Sequence, residues 1–397
     1  MTQAPLKGVK VIELGTLIAG PFCGRLLAEF GAEVIKIEPP GEGDPLRKWR
    51  KLHDGTSLWW YAQGRNKKSV TVNLRSTEGQ AIVRRLAQEA DIVVENFRPG
   101  AMEKWNLGWE QLAAANPGLV MVRISGYGQS GPYRDRPGFG AIGESMGGLR
   151  HLTGFPDQPP VRVGVSIGDS IAALHGVIGA LMALRHREVN GGKGQVVDVA
   201  LYESVFNLME SLLPEYDMTG FVRNRSGSSL PGIVPSNTYP CRDGRYVVIG
   251  ANADSIFKRM MNAIGRRDLA DDPELRHNDG RVAHTERIET AIADWTRAHD
   301  LDHVLEVLEK AEVPSGRIYD IADIAADPHY QARGMFEQVT LPGGQPLKLP
   351  AIVPKLGATP GETEWVGPAL GQHTDEVLEA IGYAAEQRAA LRERGTI

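Results

Sequence analysis

The chain has 397 residues, 42% hydrophobic and 23% charged, with a formal net charge of -5. That composition fits a soluble globular protein with a large domain and a smaller one, and excludes disordered and collagen-like chains. The slight acidity excludes a surface built to neutralise nucleic acid phosphates, so small molecules are the expected partners and nucleic acid is not.

From the start, short β-branched runs alternate with helical patterns. Val9–Leu14 reads as a strand, 21–30 as a helix and Val34–Glu38 as a second strand. The alternation continues through Ser69–Leu74, a helix over 77–90, Asp91–Asn96 and Leu119–Ser125. Strands alternating with helices predict a parallel sheet covered on both faces. Between Gly126 and Gly168 the pattern thins into a Gly- and Pro-rich stretch, long enough to predict a functional loop region. Helix returns over 170–188, followed by a strand at 195–200 and a long apolar helix reaching 219.

The predicted organisation is a Rossmann-like large α/β domain over 1–220, a linker over 221–240, a smaller α/β domain over 241–330 and a C-terminal return segment over 331–397. In the small domain a strand at 246–250 leads into helices near 255–264, 284–298 and 302–311. The return holds strands at 336–341 and 347–350, proline-rich chain and a helix starting near Thr374.

Cys23 and Cys241 stand far apart, with no CxxC or Cys/His cluster, so neither a disulfide framework nor a metal site is expected. The opening MTQAPLKGVKVIELG has no basic region followed by an apolar run, and no apolar stretch approaches the length of a span. The expectation is a cytoplasmic chain with no export signal and no membrane partner.

Three motifs invite chemistry. The first βα turn, Gly15-Thr16-Leu17-Ile18-Ala19-Gly20, lies where a dinucleotide-binding protein keeps its glycines, with Pro21 suited to a first helical position. Without G-x-G-x-x-G or a Walker lysine, nicotinamide and nucleotide triphosphate binding are disfavoured, and a turn tightened for packing serves equally well. Gly164-Val165-Ser166-Ile167-Gly168 matches a nucleophile elbow, which makes a serine hydrolase with Ser166 and a downstream His373 the rival enzyme class. Against it, Gly168 and Asp169 separate the serine from the predicted helix. Asp169 reads first as that helix's N-cap. The same position suits a nucleophile, because a helix N-terminus favours an ionised carboxylate.

The segments GVKVIELGTLIAGPFCGRLLAEFGAEVIKIEPPGEGDPLR, NKKSVTVNLRSTEG, DIVVENFRPGAMEKWNLGWEQL, ISGYGQSGPYRDRPGFG, VGVSIGDSIAALHGVIGALMAL and GGKGQVVDVALYESVF together resemble the class III CoA-transferases, the formyl-CoA transferase and carnitine CoA-transferase group. The likeness runs from about residue 6 to the closing GQHTDEVLEAIG. It implies that Asp169 attacks an acyl-CoA thioester and then carries CoA as an aspartyl thioester, with no metal or redox cofactor beyond the CoA thioester substrate. It also implies CoA contacts at Asn73, Arg75, Asn96, Phe97, Arg98 and Lys104, and an interlocked homodimer. Formyl-CoA transferase has a glutamine at the position of Ile18, an acid near Gly140 and a glycine-rich loop after the linker, so a larger acyl group than oxalyl or formyl is expected. The related α-methylacyl-CoA racemases carry a histidine that has no counterpart in Pro137-Gly138-Phe139-Gly140, which makes racemase the runner-up. A succinyl-CoA donor and a dicarboxylate acceptor such as succinate, glutarate, malate or itaconate are expected, with Arg47, Arg50, Arg65 and Arg225 as cations for a second carboxylate.

Overall fold

A computed structural model describes residues 4–397, which separate into two compact units. The first contains residues 4–150, Val163–Phe221 and Gly334–Ile397, and the second contains His151–Arg162 and Val222–Arg333.

The first unit is built on β1 (Lys10–Glu13), α1 (Ala19–Glu29), β2 (Glu33–Glu38), β3 (Lys67–Thr71), α2 (Thr77–Ala87), β4 (Ile92–Glu95), β5 (Val120–Ser125), α3 (Gly140–Met146), α4 (Ile167–Val189) and β6 (Val196–Ala200). Its six strands are all parallel, in the order β3-β2-β1-β4-β5-β6. This is the doubly wound arrangement with the order reversing between β1 and β4, the place where such sheets open a crevice at their carboxyl ends.

Alternation along the strands feeds two cores. Ile12, Ile35, Val70, Val93 and Met121 point to one face, under α2 and the C-terminal residues Val377, Leu378 and Leu391. Val11, Val34, Ile92, Val94 and Val122 point to the other, under α1 and α4. Small residues let α4 lie close to the sheet: a Cβ at Gly176 would sit 3.2–3.4 Å from Val122, Cys23 and Ile124, and one at Gly179 would strike Val197. Among the described helices α4 is long and apolar enough to cross a membrane by length and composition, which the expectation of no span had passed over. Here Ala172, Ala173, Ala180 and Ala183 are buried against the protein itself.

Under the first βα turn lies a cluster of buried charges. Lys36 Nζ reaches Glu13 Oε1 at 3.0 Å, Asp44 Oδ2 at 2.8 Å and the Gly15 carbonyl at 2.8 Å. Lys67 Nζ reaches Glu13 Oε2 at 2.7 Å and the Pro21 carbonyl at 2.6 Å. Beside them Arg47 pairs with both carboxylate oxygens of Glu38, at 2.7 and 2.8 Å, and lies 3.7 Å from the Trp60 ring centre. Burial pulls the Lys36 ammonium down, but Asp44 and Glu13 outweigh it and hold the group above its usual range. Burial likewise works against the carboxylates of Asp44 and Glu38, yet Lys36 holds Asp44, and Arg47 together with Lys36 holds Glu38, below their usual ranges. Lys67 stays below its usual range because burial and Lys36 exceed the pull of Glu13.

Several elements differ from the sequence reading. The stretch 126–168 contains α3 and a short helix, Leu149–Leu152. The apolar run reaching 219 is two helices, Leu201–Phe206 and Leu212–Thr219, separated by a turn in which Glu210 takes a left-handed φ of 48°. α1 begins at Ala19, so Pro21 lies in its first turn rather than at its first position. In the second unit, β7 (Ser236–Pro240), inside the segment read as linker, pairs with β8 (Tyr246–Gly250), which pairs in turn with β9 (Ser315–Arg317). This small antiparallel sheet carries α5 (Asp254–Ala263), α6 (Thr285–Arg297) and α7 (Leu301–Lys310) through Val247, Ile249, Phe257, Ile288, Ile292 and Leu308.

Removing one partner of the buried cluster strands the others in the interior. Lys36→Met is expected to lower stability by about 3–5 kcal/mol. Lys68→Met, which breaks the exposed pairs with Glu33 and Glu376, should cost no more than about 1 kcal/mol. Urea unfolding of both variants at neutral pH measures the difference.

Candidate functional site

Asp169 is the third residue of α4. The N-cap is Ser166, so the helix starts three residues earlier than an Asp169 cap requires, and the cap reading is corrected accordingly. The carboxylate remains in the first turn, where backbone N–H groups lack helical acceptors and the 23-residue helix presents its positive end.

Its setting is made by glycines. α3 carries Gly140 and Gly143 and is capped at its C-terminus by Gly147, spaced three and four residues apart and so on one side of the helix. A Cβ at Gly140 would collide with the Asp169 carboxylate, while Cβ atoms at Gly143 and Gly147 would press on Leu201 and Val205. The glycine side of α3 is therefore the surface that receives Asp169 and the helix at 201–206. One turn along α3, Glu144 is only 1% exposed. Its Oε1 accepts the Gly168 N–H at 3.4 Å and its Oε2 lies 3.4 Å from Arg150 Nη2.

The remaining candidates lie at the carboxyl ends of the strands. Asn73 and Arg75 follow β3, and Asn96, Phe97, Arg98 and Lys104 follow β4, beside the crossover. α4 runs back between the parallel neighbours β5 and β6, so its N-terminus with Asp169 faces the same edge of the sheet. Arg75, Arg98 and Lys104 are exposed. The Asn73 side chain accepts the Arg75 N–H at 3.0 Å and shapes the loop that carries it. Asn96 is committed to the first βα turn, accepting the Thr16 N–H at 2.7 Å and donating to the Thr16 carbonyl at 2.9 Å. Phe97 stands edge-on to Trp105, with ring centres 5.1 Å apart.

Beneath this segment runs an ion chain absent from the sequence reading. Arg123 binds buried Glu95 at 2.7 Å and grips Glu103 through two nitrogens at 2.7 and 3.2 Å. Burial pushes the Glu95 carboxyl up to about 7, against the pull of Arg123 and of the Phe97 N–H. Hydrogen bonding to Arg123 holds Glu103 below its usual range.

The structure commits other candidates elsewhere. Arg47 is consumed by Glu38, and Arg65 by Glu29, Glu337, Thr363 and the Pro350 carbonyl, so both are structural. Arg225 donates to the carbonyls of His151 and Phe155 in the second unit, and Arg50 lies 5.3 Å from the Trp59 ring centre. Ser166 has φ -82° and ψ 67°, without the strain of a nucleophile elbow, and its carbonyl accepts from Ser170. His373 accepts the Ser69 N–H through Nδ1 at 3.1 Å, on the edge strand β3, whereas α4 packs over β5 and β6 toward the opposite edge. The serine-histidine pair of a hydrolase is not assembled. At the racemase position, Phe139 is 69% exposed and Gly140 offers no proton carrier.

The fold and this edge define a doubly wound α/β protein with a carboxylate at a helix N-terminus. The model of CoA-transferase family III matches residues 6–374, and the chain belongs to that family. It is 51% identical to the succinyl-CoA–D-citramalate CoA-transferase of Chloroflexus aurantiacus, over 99% of this chain and 98% of that one. It is 42% identical to the β subunit of the succinyl-CoA–L-malate CoA-transferase of the same organism, over 100% and 99%. Among solved structures, a CAIB/BAIF family protein from Brucella suis superposes with a TM-score of 0.83 at 34% identity, covering 96% of this chain and 100% of that one. The protein is thus an enzyme of the CoA-transferase type.

Gly140 has no room for a side chain beside Asp169. Gly140→Ala is expected to leave the fold intact by circular dichroism and to lower turnover about 100-fold by displacing the carboxylate. Steady-state assays of CoA transfer would measure the loss.

Proposed function

We propose that the protein moves CoA from succinyl-CoA to a dicarboxylic acid of the malate or citramalate kind, with Asp169 as the covalent carrier. The nucleophile assignment is carried by one observation: the Asp169 carboxylate occupies a hollow that only glycine at 140 leaves open, at the positive end of α4. The substrate class draws support from the relatives, whose names specify succinyl-CoA with D-citramalate or L-malate.

In this reading the carboxylate adds to the thioester carbonyl and CoA leaves as thiolate, giving a mixed anhydride. The thiolate attacks the Asp169 carbonyl, releases succinate and leaves an aspartyl-CoA thioester. The acceptor carboxylate then attacks that thioester, and the departing thiolate attacks the acceptor carbonyl of the new anhydride, which frees Asp169. Thioester-level free energy stays covalent throughout, and no nucleotide is consumed. A helix N-terminus, with its N–H groups directed outward, is suited to stabilise each oxyanion. Arg75, Arg98 and Lys104 supply cations for the phosphates of CoA, and Phe97 and the Asn73 loop an apolar and amide surface for its adenine and pantetheine. Asn96 contributes through its backbone, since Thr16 holds its side chain.

Incubation with succinyl-CoA and D-citramalate or L-malate, followed by chromatography of the CoA products, tests the reaction. Asp169→Asn should lower transfer by about 10⁴-fold or more while remaining folded, and Ser166→Ala should transfer normally. Hydroxylamine or borohydride should trap the CoA-loaded enzyme at Asp169 in a peptide mass map. A folded Asp169→Asn enzyme with near-normal transfer refutes the assignment, and α-proton exchange without transfer would support a racemase.

We further infer a cytoplasmic homodimer. Leu174, Ile178, Leu181, Met182 and Val189 form an exposed apolar stripe along α4, and Phe206, Leu208, Leu213, Tyr216 and Met218 continue the exposed apolar surface in sequence. Spacings of three, four and seven keep the α4 residues on one side, which a second copy would cover. Both cysteines are buried and unpaired, as a reducing compartment allows. Light scattering should give twice the mass of one chain, and tagged and untagged dimers mixed under native conditions should not exchange within hours. A monomer, or rapid exchange, argues against interlocked chains.

A further inference from the structure

The glycine side of α3 brings a second group to the Asp169 turn. Glu144 lies four residues beyond Gly140, so it occupies the same side of α3 about one helical turn, or 5.4 Å, farther along. Its carboxylate is buried, touches the Gly168 N–H and contacts Arg150, whose side chain is 28% accessible. That contact, at 3.4 Å through one nitrogen, is long for a charge-assisted bond. It is the hydrogen bond the guanidinium makes among the described residues, and most of its five N–H donors stay available to a ligand.

Resting on the reading of Asp169 as nucleophile, we propose that Arg150, anchored by Glu144, is the subsite for the distal carboxylate of a dicarboxylic acyl group. The argument is one of reach and chemistry. The hollow at Gly140 fixes where the reacting carbonyl must lie, and Glu144, rooted about one helical turn farther along α3, holds Arg150 Nη2 at 3.4 Å. A succinyl chain places its second carboxylate three carbon–carbon bonds from the thioester carbonyl, about 4–5 Å at about 1.5 Å per bond. A planar guanidinium is the side chain best matched to a carboxylate, and partial burial strengthens the bond by excluding water. Glu144 restrains the otherwise flexible arginine, which makes it a positioning residue. Arg47 and Arg65, the cations expected for this role from sequence, are locked into buried ion pairs.

The test compares succinyl-CoA with succinamoyl-CoA, whose distal group is a neutral amide of the same shape, as donors to one acceptor. The ratio of kcat/KM for the two thioesters should fall about 10–100-fold in Arg150→Met, through loss of a charge-assisted hydrogen bond. Arg150→Lys, which keeps a point charge but not the fork, should recover part of the ratio and serves if the methionine variant fails to fold. An unchanged ratio in both variants overturns the proposal. Equal slowing of both thioesters also overturns it, since that is the result expected if Arg150 only neutralises Glu144. Trapping at Asp169 in the unsubstituted enzyme separates the two levels: an Asp169 adduct with an unchanged ratio overturns the subsite alone. Absence of the adduct overturns the nucleophile, and the subsite with it.

Discussion

The geometry of the carboxyl edge depends on the buried contact of Lys36 with Glu13 and Asp44. Burying these charges carries a large desolvation cost, and aliphatic residues of equal volume would give comparable stability. What the ions supply is direction. Lys36 binds the Gly15 carbonyl, and Asp44 accepts the Leu17 N–H at 3.0 Å, where the backbone takes a left-handed φ of 64°. Such a conformation in a leucine persists only where its neighbours over-determine it. Asn96 completes the clamp through Thr16, joining the turn after β1 to the segment after β4. The two sides of the crossover are thus fixed to each other through the protein.

A second ion chain extends this order outward. Arg123, on β5, reaches back to Glu95 at the end of β4 and out to Glu103 in the short helix Ala101–Lys104. Glu95 also accepts the Phe97 N–H, so one buried carboxylate sets the start of the loop and Arg123 fixes its end. Arg98 and Lys104 project from a segment whose backbone is held at both ends.

The parallel sheet was legible because its strands are continuous β-branched runs separated by helix-length spacing, as in β5, where all six residues are buried. The position of Asp169 near a helix start was legible too, although its exact place was not. A cap is recognised from side-chain type, whereas the helix starts at Ile167 with Gly168 close against Glu144 and the Gly140 carbonyl of α3, which type alone does not encode. α3 was hidden because glycine argues for loop in any propensity scale. Its spacing of Gly140, Gly143 and Gly147 carried a helical period, with glycine on the packed side where a hydrophobic stripe is normally sought. Arg47 and Arg65 were misread for the opposite reason. A cation on a sequence looks solvated until the fold places Glu38 or Glu29 against it.

The placement of Asp169 contains a tension. On the reading of Asp169 as nucleophile, a helix N-terminus favours the anion, yet an anion that is well stabilised is a weaker nucleophile. Burying the group more deeply would raise its reactivity at the expense of access for an acyl-CoA. The structure takes neither extreme, with Asp169 half-buried and a second carboxylate, Glu144, drawing on the Gly168 N–H in the same helical turn. Each N–H that Glu144 engages is one fewer directed at the Asp169 carboxylate. On the reading of Asp169 as carrier, proximity also contributes to attack, and the missing Cβ at Gly140 leaves the space in which the carboxylate sits. On that reading, the contribution of α3 at Gly140 lies in a side chain it lacks.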